Sequence, residues 1–103
     1  MVNVITEATY EKEVLQSDKP VILDLYADWC GPCKMMAPVI ADLSEKYPDI
    51  KFCKINVDKA PGVAGANKVF SIPTFLLIRD GEVKNRIVGA VPPAQIEEAL
   101  KAL

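Results

Sequence analysis

The chain has 103 residues, which is enough for one domain with a sizeable core and too few for two. Hydrophobic residues make up 50% of the chain and charged residues 25%, a globular composition that excludes an intrinsically disordered chain. The net charge of -2 and the lack of a Lys/Arg cluster argue against nucleic-acid binding through a basic surface.

The chain begins with residues that predict a short edge strand and then a helix. Met1 leads directly into the strand, Val2 to Ile5, with no basic or long apolar segment that would indicate a signal peptide or a membrane span. We therefore expect a cytoplasmic protein that does not associate with membranes. Thr6 suits the N-cap of a helix that runs to about Gln16.

A second strand and a second helix flank a pair of cysteines. The strand, Val21 to Ala27, is apolar on both faces except at Asp24, as expected for an interior strand covered by helices on both sides. From Met35 to Tyr47 the apolar residues recur at helical spacing. Cys30 and Cys33 therefore lie where a strand ends and a helix begins.

The second half of the chain alternates between the same two kinds of element. The pattern predicts a strand Phe52 to Val57, a short helix Gly62 to Lys68, a strand Phe75 to Ile78, an Asp80-Gly81 hairpin turn, an antiparallel strand Val83 to Val88, and a helix opened by Pro92-Pro93. The resulting order, β-α-β-α-β-α-β-β-α, predicts one α/β domain over residues 1–103, with a central mixed sheet and helices on both faces.

Two cysteines separated by two residues can close a small disulfide, supply half of a metal site, or cycle between dithiol and disulfide. The chain has three cysteines and no histidine, which excludes a Cys-His nucleophile pair and leaves a structural zinc site one ligand short. The strand-to-helix position favours redox cycling, because a helix N-terminus stabilises a thiolate. A structural disulfide or a partial metal site is the alternative, and we expect no bound metal.

The two cysteines are expected to have different roles. Cys30 precedes the helix, so we expect it to be the outer, exposed residue that attacks a substrate disulfide. Cys33 lies about one helical turn beneath it, close enough to resolve the mixed disulfide and release the reduced substrate. Gly31 lets the loop turn tightly, and Pro32 presets the backbone for helix entry.

Asp24 is the one carboxylate in an otherwise apolar strand. Burial should raise its pKa, which is the usual condition for proton transfer near neutral pH. Because no histidine is available, Asp24 is the candidate group that takes the proton from Cys33, directly or through a water. The alternative is a structural buried acid paired with Lys54, which we expect on the adjacent strand, and both interpretations can hold together.

Over its whole length the chain resembles the thioredoxin family. The matching residues are Asp24, Ala27, Trp29-Cys30-Gly31-Pro32-Cys33-Lys34, Pro38, Lys54, Asp58, Ile72-Pro73-Thr74, Gly81 and Gly89. The resemblance implies the thioredoxin fold and a protein-disulfide reductase without a bound cofactor. It also implies that the protein takes electrons from a thioredoxin reductase, which we expect to be flavin-dependent, and passes them to client proteins. We expect it to act as a monomer.

The resemblance further implies a cis peptide bond at Ile72-Pro73, a conformation that is inexpensive only before proline. That bond would turn the Ile72 backbone outward beside the cysteines, so that a substrate segment could pair with it as an added strand. An ordinary proline at the start of a strand is the alternative. A lone tryptophan is more often core than contact, but beside the nucleophile we expect Trp29 to be exposed. The expected result is a flat apolar patch around Cys30, formed by Trp29, Gly31, Pro32, Ile72, Pro73, Val88, Gly89 and Ala90.

The sequence also contains a third cysteine and leaves two other functions open. Cys53 lies in an interior strand and is expected to be a buried, inert thiol. Tyr26, Asn67 and Phe70 depart from the family pattern, and Phe70 bears on the surface that meets partners. One rival function is a disulfide oxidase or isomerase of an oxidising compartment, but such relatives usually carry histidine between the cysteines. Another is a binding subunit that uses the patch without redox turnover.

Overall fold

The computed structural model describes all 103 residues and is built on a five-stranded mixed sheet. The strands are β1 (Val2–Val4), β2 (Val21–Tyr26), β3 (Lys51–Asn56), β4 (Thr74–Arg79) and β5 (Glu82–Val88). They lie in the order β1-β3-β2-β4-β5. The first three in this order are parallel to one another, whereas β4 is antiparallel to β2 and β5 is antiparallel to β4.

Helices cover both faces of this sheet. They are α1 (Glu7–Tyr10), which continues as a π-helical segment (Glu11–Leu15), α2 (Gly31–Lys46), α3 (Pro61–Ala66) and α4 (Pro93–Ala102). The π-helical segment and α3 pack on the face formed by Leu23, Leu25, Cys53, Ile55, Leu76 and Ile78. Helices α2 and α4 pack on the opposite face, formed by Ile22, Phe52, Phe75, Leu77 and Ile87. The predicted α/β architecture is therefore confirmed, and none of these helices is long and apolar enough to cross a membrane.

The hairpin between β4 and β5 turns where the Asp-Gly pair predicted it. Asp80 and Gly81 have φ values of 53° and 75°, the left-handed conformation that a two-residue turn of this kind requires at both central positions. A Cβ atom at Gly81 would lie 2.9 Å from the carbonyl oxygen of Leu15. The turn thus packs tightly against the end of the π-helical segment, and glycine is needed there for space as well as for φ.

Two elements differ from their predicted limits in ways that affect the site. Helix α2 begins at Gly31, not at Met35, because Pro32 fits the first turn of a helix and allows it to begin directly after Cys30. The helix predicted to follow Thr6 does begin there, with the Thr6 N–H donating to Thr9 Oγ1, but its second half is π-helical. The early start of α2 puts Cys33 inside the first helical turn, as was predicted for this cysteine.

Candidate active site

Cys30 and Cys33 form a disulfide at the N-terminus of α2, with their Cα atoms 5.3 Å apart. Cys30 is the N-cap residue of the helix, and the backbone N–H of Cys33 donates a hydrogen bond of 3.2 Å to its Sγ atom. A sulfur in this position receives one of the otherwise unpaired N–H groups of the first turn and faces the positive end of the helix dipole. The geometry therefore favours a thiolate on Cys30 when the pair is reduced.

Exposure does not distinguish the two cysteines, and the expectation that Cys30 is exposed is wrong for the disulfide form. Cys30 is 4% exposed and Cys33 is 5% exposed. Both pack with Ala27 against the half-buried side chains of Tyr26, Val57 and Ile72. What distinguishes Cys30 is its position at the helix cap, so its reactivity has an electrostatic basis and does not depend on wide solvent access.

Asp24 and Cys33 line the same cavity. Its side chain is 5% exposed, and its Oδ1 atom has no hydrogen-bond partner. Burial raises the pKa of Asp24 to about 7, and the positive charge of Lys54 opposes part of that rise. The cavity has a volume of about 160 Å³, and its lining includes Asp24, Tyr26, Cys33, Lys34 and Lys54. A carboxylic acid that titrates near neutral pH is thus close to the inner cysteine.

Lys54 lies on the adjacent strand, as the sequence suggested, and stands opposite Asp24 in the parallel register of β2 and β3. The two side chains form no ion pair. The ammonium group of Lys54 instead lies 5.6 Å from the centre of the Tyr26 ring, within the range of a cation–π interaction. Lys54 therefore acts on Asp24 through the electric field and leaves a carboxylate oxygen free.

The segment before β4 borders the disulfide on its other side. The Ile72-Pro73 peptide bond is cis, as the family resemblance implied. The carbonyl oxygen of Ile72 lies 3.8 Å from Cys30 Sγ. The carbonyl oxygen of Pro73 accepts a 2.7 Å hydrogen bond from the N–H of Gly89. This bond joins the two backbone segments that were expected to form the patch around Cys30.

The surface around the disulfide contains most of the residues expected in the patch, but not all of them are exposed. Trp29 is 70% exposed and Val88 is 50% exposed. Gly31, Pro32 and Ala90 are exposed, Ile72 and Gly89 are half-buried, and Pro73 is buried. Pro73 can therefore contribute through its backbone and through the turn it creates, while its ring is covered.

Two residues in the site were not assigned a role from the sequence. Asp58 accepts a 2.9 Å hydrogen bond from Trp29 Nε1 and so fixes the tryptophan ring, although the ring itself is exposed. Tyr26 lines the same cavity as Asp24, and its ring centre lies 5.6 Å from the ammonium group of Lys54. Asp58 belonged to the family pattern and Tyr26 was a departure from it. Neither the family pattern nor the departure from it indicated which side chain each residue would contact, because the partners of Asp58 and Tyr26 lie on other elements.

The structure contains no cluster of three or more His, Cys, Asp or Glu side chains that could hold a metal ion. The third cysteine, Cys53, lies on β3 and is 1% exposed. Burial raises the pKa of its thiol to about 11. The Cys30–Cys33 disulfide supports dithiol–disulfide exchange, and Asp24, which lines the same cavity as Cys33, is a group that can take up a proton near neutral pH.

Comparison with known proteins agrees with this chemistry. The family model described as thioredoxin matches residues 1–102. Thioredoxin 1 of Synechococcus elongatus is 42% identical over 97 residues, which cover 93% of this chain and 91% of that protein. Thioredoxin of Porphyra purpurea is 40% identical over 100 residues, covering 96% of this chain and 94% of that protein. A chloroplastic M-type thioredoxin of Brassica napus is 41% identical over 97 residues, covering 93% of this chain and 55% of that protein.

Proposed function

This chain belongs to the thioredoxin family, and from that membership we propose how its residues divide the work of disulfide reduction. The protein is a thiol–disulfide oxidoreductase that reduces protein disulfides by dithiol–disulfide exchange. The observation that carries this function is the Cys30–Cys33 disulfide at the N-terminus of α2, within the sequence Cys-Gly-Pro-Cys.

In the first step, the thiolate of reduced Cys30 attacks one sulfur of a client disulfide. A bond forms between Cys30 and that sulfur, and the second client sulfur leaves as a thiolate. The hydrogen bond from the Cys33 N–H to Cys30 Sγ supports this assignment, because it stabilises negative charge on Cys30 and not on Cys33.

In the second step, Asp24 takes the proton from the Cys33 thiol, and the resulting thiolate attacks Cys30 Sγ. The Cys30–Cys33 disulfide forms and the client's first sulfur leaves as a thiolate, so the client has gained two electrons. Its two thiolates then take one proton from Asp24 and one from the solvent. Support for Asp24 comes from the cavity that it shares with Cys33, which has room for a bridging water. A further support is that its pKa of about 7 lets it both accept and release a proton near neutral pH.

The client binds beside the disulfide as an extended segment. We assign the Ile72 backbone, turned by the cis bond before Pro73, as the edge with which this segment pairs. Trp29, Gly89 and Ala90 provide contact surface, and Gly31 and Pro32 shape the loop. The 3.8 Å distance between the Ile72 carbonyl oxygen and Cys30 Sγ supports this role, because a segment paired there would bring its own sulfur next to Cys30.

The oxidised protein must be reduced again before another cycle. We propose that a flavin-dependent thioredoxin reductase supplies the electrons, and that the protein works as a monomer in the cytoplasm. A reducing compartment suits this role, because the dithiol has to persist between encounters with clients. The relatives of this chain include chloroplastic proteins, so the cytoplasm is a proposal to be tested by locating the tagged native protein in cell fractions.

Reduction of insulin disulfides tests the function and the donor together. Reduced insulin B chain precipitates, so turbidity should rise when the protein is added with NADPH and a flavin-dependent thioredoxin reductase. Without the reductase, a single equivalent of dithiol should be consumed and the reaction should stop. A Cys30→Ser, Cys33→Ser double variant that keeps full activity in cells would contradict the proposed chemistry and favour a binding subunit. Activity with chemical reductants but not with the flavoenzyme would contradict only the proposed donor.

A further inference from the structure

Arg86, on the outermost strand β5, makes two hydrogen bonds that the function proposed above does not use. Its guanidinium donates to the carbonyl oxygen of Asn67 at 2.5 Å and to that of Lys68 at 3.3 Å. A guanidinium is a rigid planar fork, so two such bonds fix both the position and the orientation of the backbone that accepts them. Arg86 thus fastens the chain just after α3 to the edge of the sheet.

The backbone that Arg86 holds lies where the chain leaves α3. Asn67 is the C-cap residue of this helix, and Lys68 has a φ of 54°, a left-handed conformation that ends it. The N–H of Val69 donates back to the carbonyl oxygen of Ala64 at 2.9 Å and closes the helix end. The direction of the following segment is therefore set here, and Arg86 binds the two carbonyl oxygens at which it starts.

The side chain of Asn67 ties the same point to two helices. Its Nδ2 atom donates to the carbonyl oxygen of Val63 in α3 at 2.9 Å and to the hydroxyl of Tyr10 in α1 at 3.2 Å. The bonds of Asn67 and Lys68 with Arg86 thus form a junction of α1, α3 and β5. Neither Asn67 nor Arg86 is among the residues that match the family pattern, so the junction is a feature of this chain.

The segment that begins at this junction leads directly to the redox site. Val69 to Pro73 join the junction to β4. Ile72 lies in this segment, and its carbonyl oxygen is 3.8 Å from Cys30 Sγ. At the far end of the segment, the carbonyl oxygen of Pro73 accepts a 2.7 Å hydrogen bond from the N–H of Gly89, the residue after β5. The backbone proposed to pair with clients is therefore fastened at both ends to the same edge of the sheet.

We propose that Arg86 is a positioning residue for protein disulfides, because it holds the segment before β4 so that the Ile72 backbone is ready to pair with a client. The inference rests on the proposed function and names a residue that favours extended clients over small disulfides. Pairing with a fixed edge costs less conformational entropy than pairing with an edge that must first be ordered. A small disulfide reacts with Cys30 without using this edge, so loss of Arg86 should slow the reaction with protein disulfides alone.

Reduced protein without a reductase allows the two kinds of disulfide to be compared directly. One substrate is insulin, and the other is bis(2-hydroxyethyl) disulfide, which has no peptide group that could pair with a strand. In both reactions Cys30 and Cys33 give up two electrons and form their disulfide, and the substrate disulfide is reduced to two thiols. Trp29 fluorescence follows the oxidation, and the two second-order rate constants give a ratio for each variant.

Arg86→Met should lower the rate constant for insulin about 5-fold and leave that for the small disulfide nearly unchanged, because only the insulin reaction uses the edge. Arg86→Lys keeps the charge but loses the fork, so it should recover part of the loss. Lys84→Met is the matched control, since it removes an exposed positive charge from the same strand, where its ammonium group pairs with Glu82. It should leave the ratio unchanged.

Hydrogen exchange adds a readout of position. The amide of Val69 should exchange faster in Arg86→Met than in the native chain, because its bond to Ala64 closes the helix end that Arg86 holds. In Lys84→Met its exchange should match that of the native chain.

A rate constant for insulin that Arg86→Met leaves unchanged would overturn the inference. So would an equal fall with both disulfides, which would place the effect on the cysteine pair or on the fold as a whole. An equal loss in Lys84→Met would assign the effect to charge steering and would also exclude the positioning role. These three results leave the proposed function in place, whereas that function fails if the reduced native chain does not reduce insulin.

Discussion

Asp24 and Lys54 stand opposite each other in the parallel pairing of β2 and β3, yet they form no ion pair. The lysine lies against the Tyr26 ring, and one oxygen of the buried carboxyl group has no partner. An unpaired carboxylate in such a site is costly, and binding a proton removes most of that cost. The arrangement leaves Asp24 titratable in the pH range where the protein is expected to work.

Replacing Asp24 with asparagine should stabilise the fold above neutral pH. The pKa of Asp24 is raised from 3.8 to about 7 in the folded state. Between these values the folded protein binds a proton that the unfolded chain has released, so native stability falls as the pH rises from about 4 to about 7. Urea denaturation at pH 8 should give Asp24→Asn a free energy of unfolding about 2–4 kcal/mol higher than that of the native chain, and the difference should shrink towards zero near pH 4.

The control for this measurement is Asp28→Asn, which removes a solvent-exposed carboxylate from the turn just after β2. Its effect on the free energy of unfolding should stay within about 0.5 kcal/mol at both pH values. If Asp24→Asn shifted stability by the same amount at pH 4 and pH 8, the effect would come from packing, and the titration of Asp24 would not explain it.

The same substitution should slow catalysis. In the native protein, the step in which Cys33 resolves the mixed disulfide should accelerate as Asp24 ionises around pH 7. Asp24→Asn removes that base, and the step should become about 100-fold slower near pH 7.5. Single-turnover reduction of a client disulfide, followed by Trp29 fluorescence, measures this step. A rate that Asp24→Asn leaves unchanged from pH 6 to pH 9 would exclude the proton-transfer role.

The order of the elements could be predicted because each has a clear local signal. Apolar positions at helical spacing marked α2, and the Asp80-Gly81 pair marked the hairpin. The alternating polar residues of Val83 to Val88 are typical of a strand near a sheet edge, and only Ile87 of β5 is buried. Strand β5 is the outermost strand on its side of the sheet, so helices cover little of it. The π-helical turn had no recognisable sequence signal.

In the site, too, the residues that could be predicted are those with a local signal in the sequence. Cys30, Cys33 and Asp24 could be identified because their residue types are unusual at those points of the strand and helix. The contact between Trp29 and Asp58 joins residues 29 positions apart, and the short approach of Ile72 to Cys30 spans 42 positions. Local patterns contain no information on such distances. Trp29 and Phe70 line one surface groove, and this too could not be predicted, because they lie on separate loops whose distance apart only the fold determines.

Cys53 should take no part in the exchange chemistry. Its side chain is 1% exposed, and its thiol pKa is raised from 9.0 to about 11. That shift lowers the thiolate fraction at pH 8 by about 100-fold relative to an unperturbed thiol. Iodoacetamide at pH 8 should therefore leave the folded, oxidised protein unlabelled and should add one group per chain in urea. Cys53→Ala should stay unlabelled in both conditions, and rapid labelling of the folded native chain would show a reactive third thiol.

Helix α3 has an N-terminal cap that comes from another helix. Its own N-cap residue, Ala60, offers no side-chain acceptor, and Glu7 Oε1 accepts the N–H of Val63 at 3.0 Å. Glu7→Ala should lower the free energy of unfolding by about 0.5–2 kcal/mol, the usual cost of losing a cap. Faster hydrogen exchange at the Val63 amide would locate the loss.

Gly62 offers a test of this cap, because the effect of Gly62→Ala on the free energy of unfolding should depend on whether Glu7 is present. A Cβ atom at Gly62 would lie 2.6 Å from Glu7 Oε1, so Gly62→Ala displaces the capping carboxylate, and the lost cap offsets the gain in helix propensity. In the Glu7→Ala background the obstacle is gone, and Gly62→Ala should stabilise the protein by about 0.5–1 kcal/mol. Gly65→Ala, in the same helix with no atom within 4 Å of the new Cβ, should stabilise equally in both backgrounds. If Gly62→Ala had the same effect with and without Glu7, the carboxylate would not be the cap of α3.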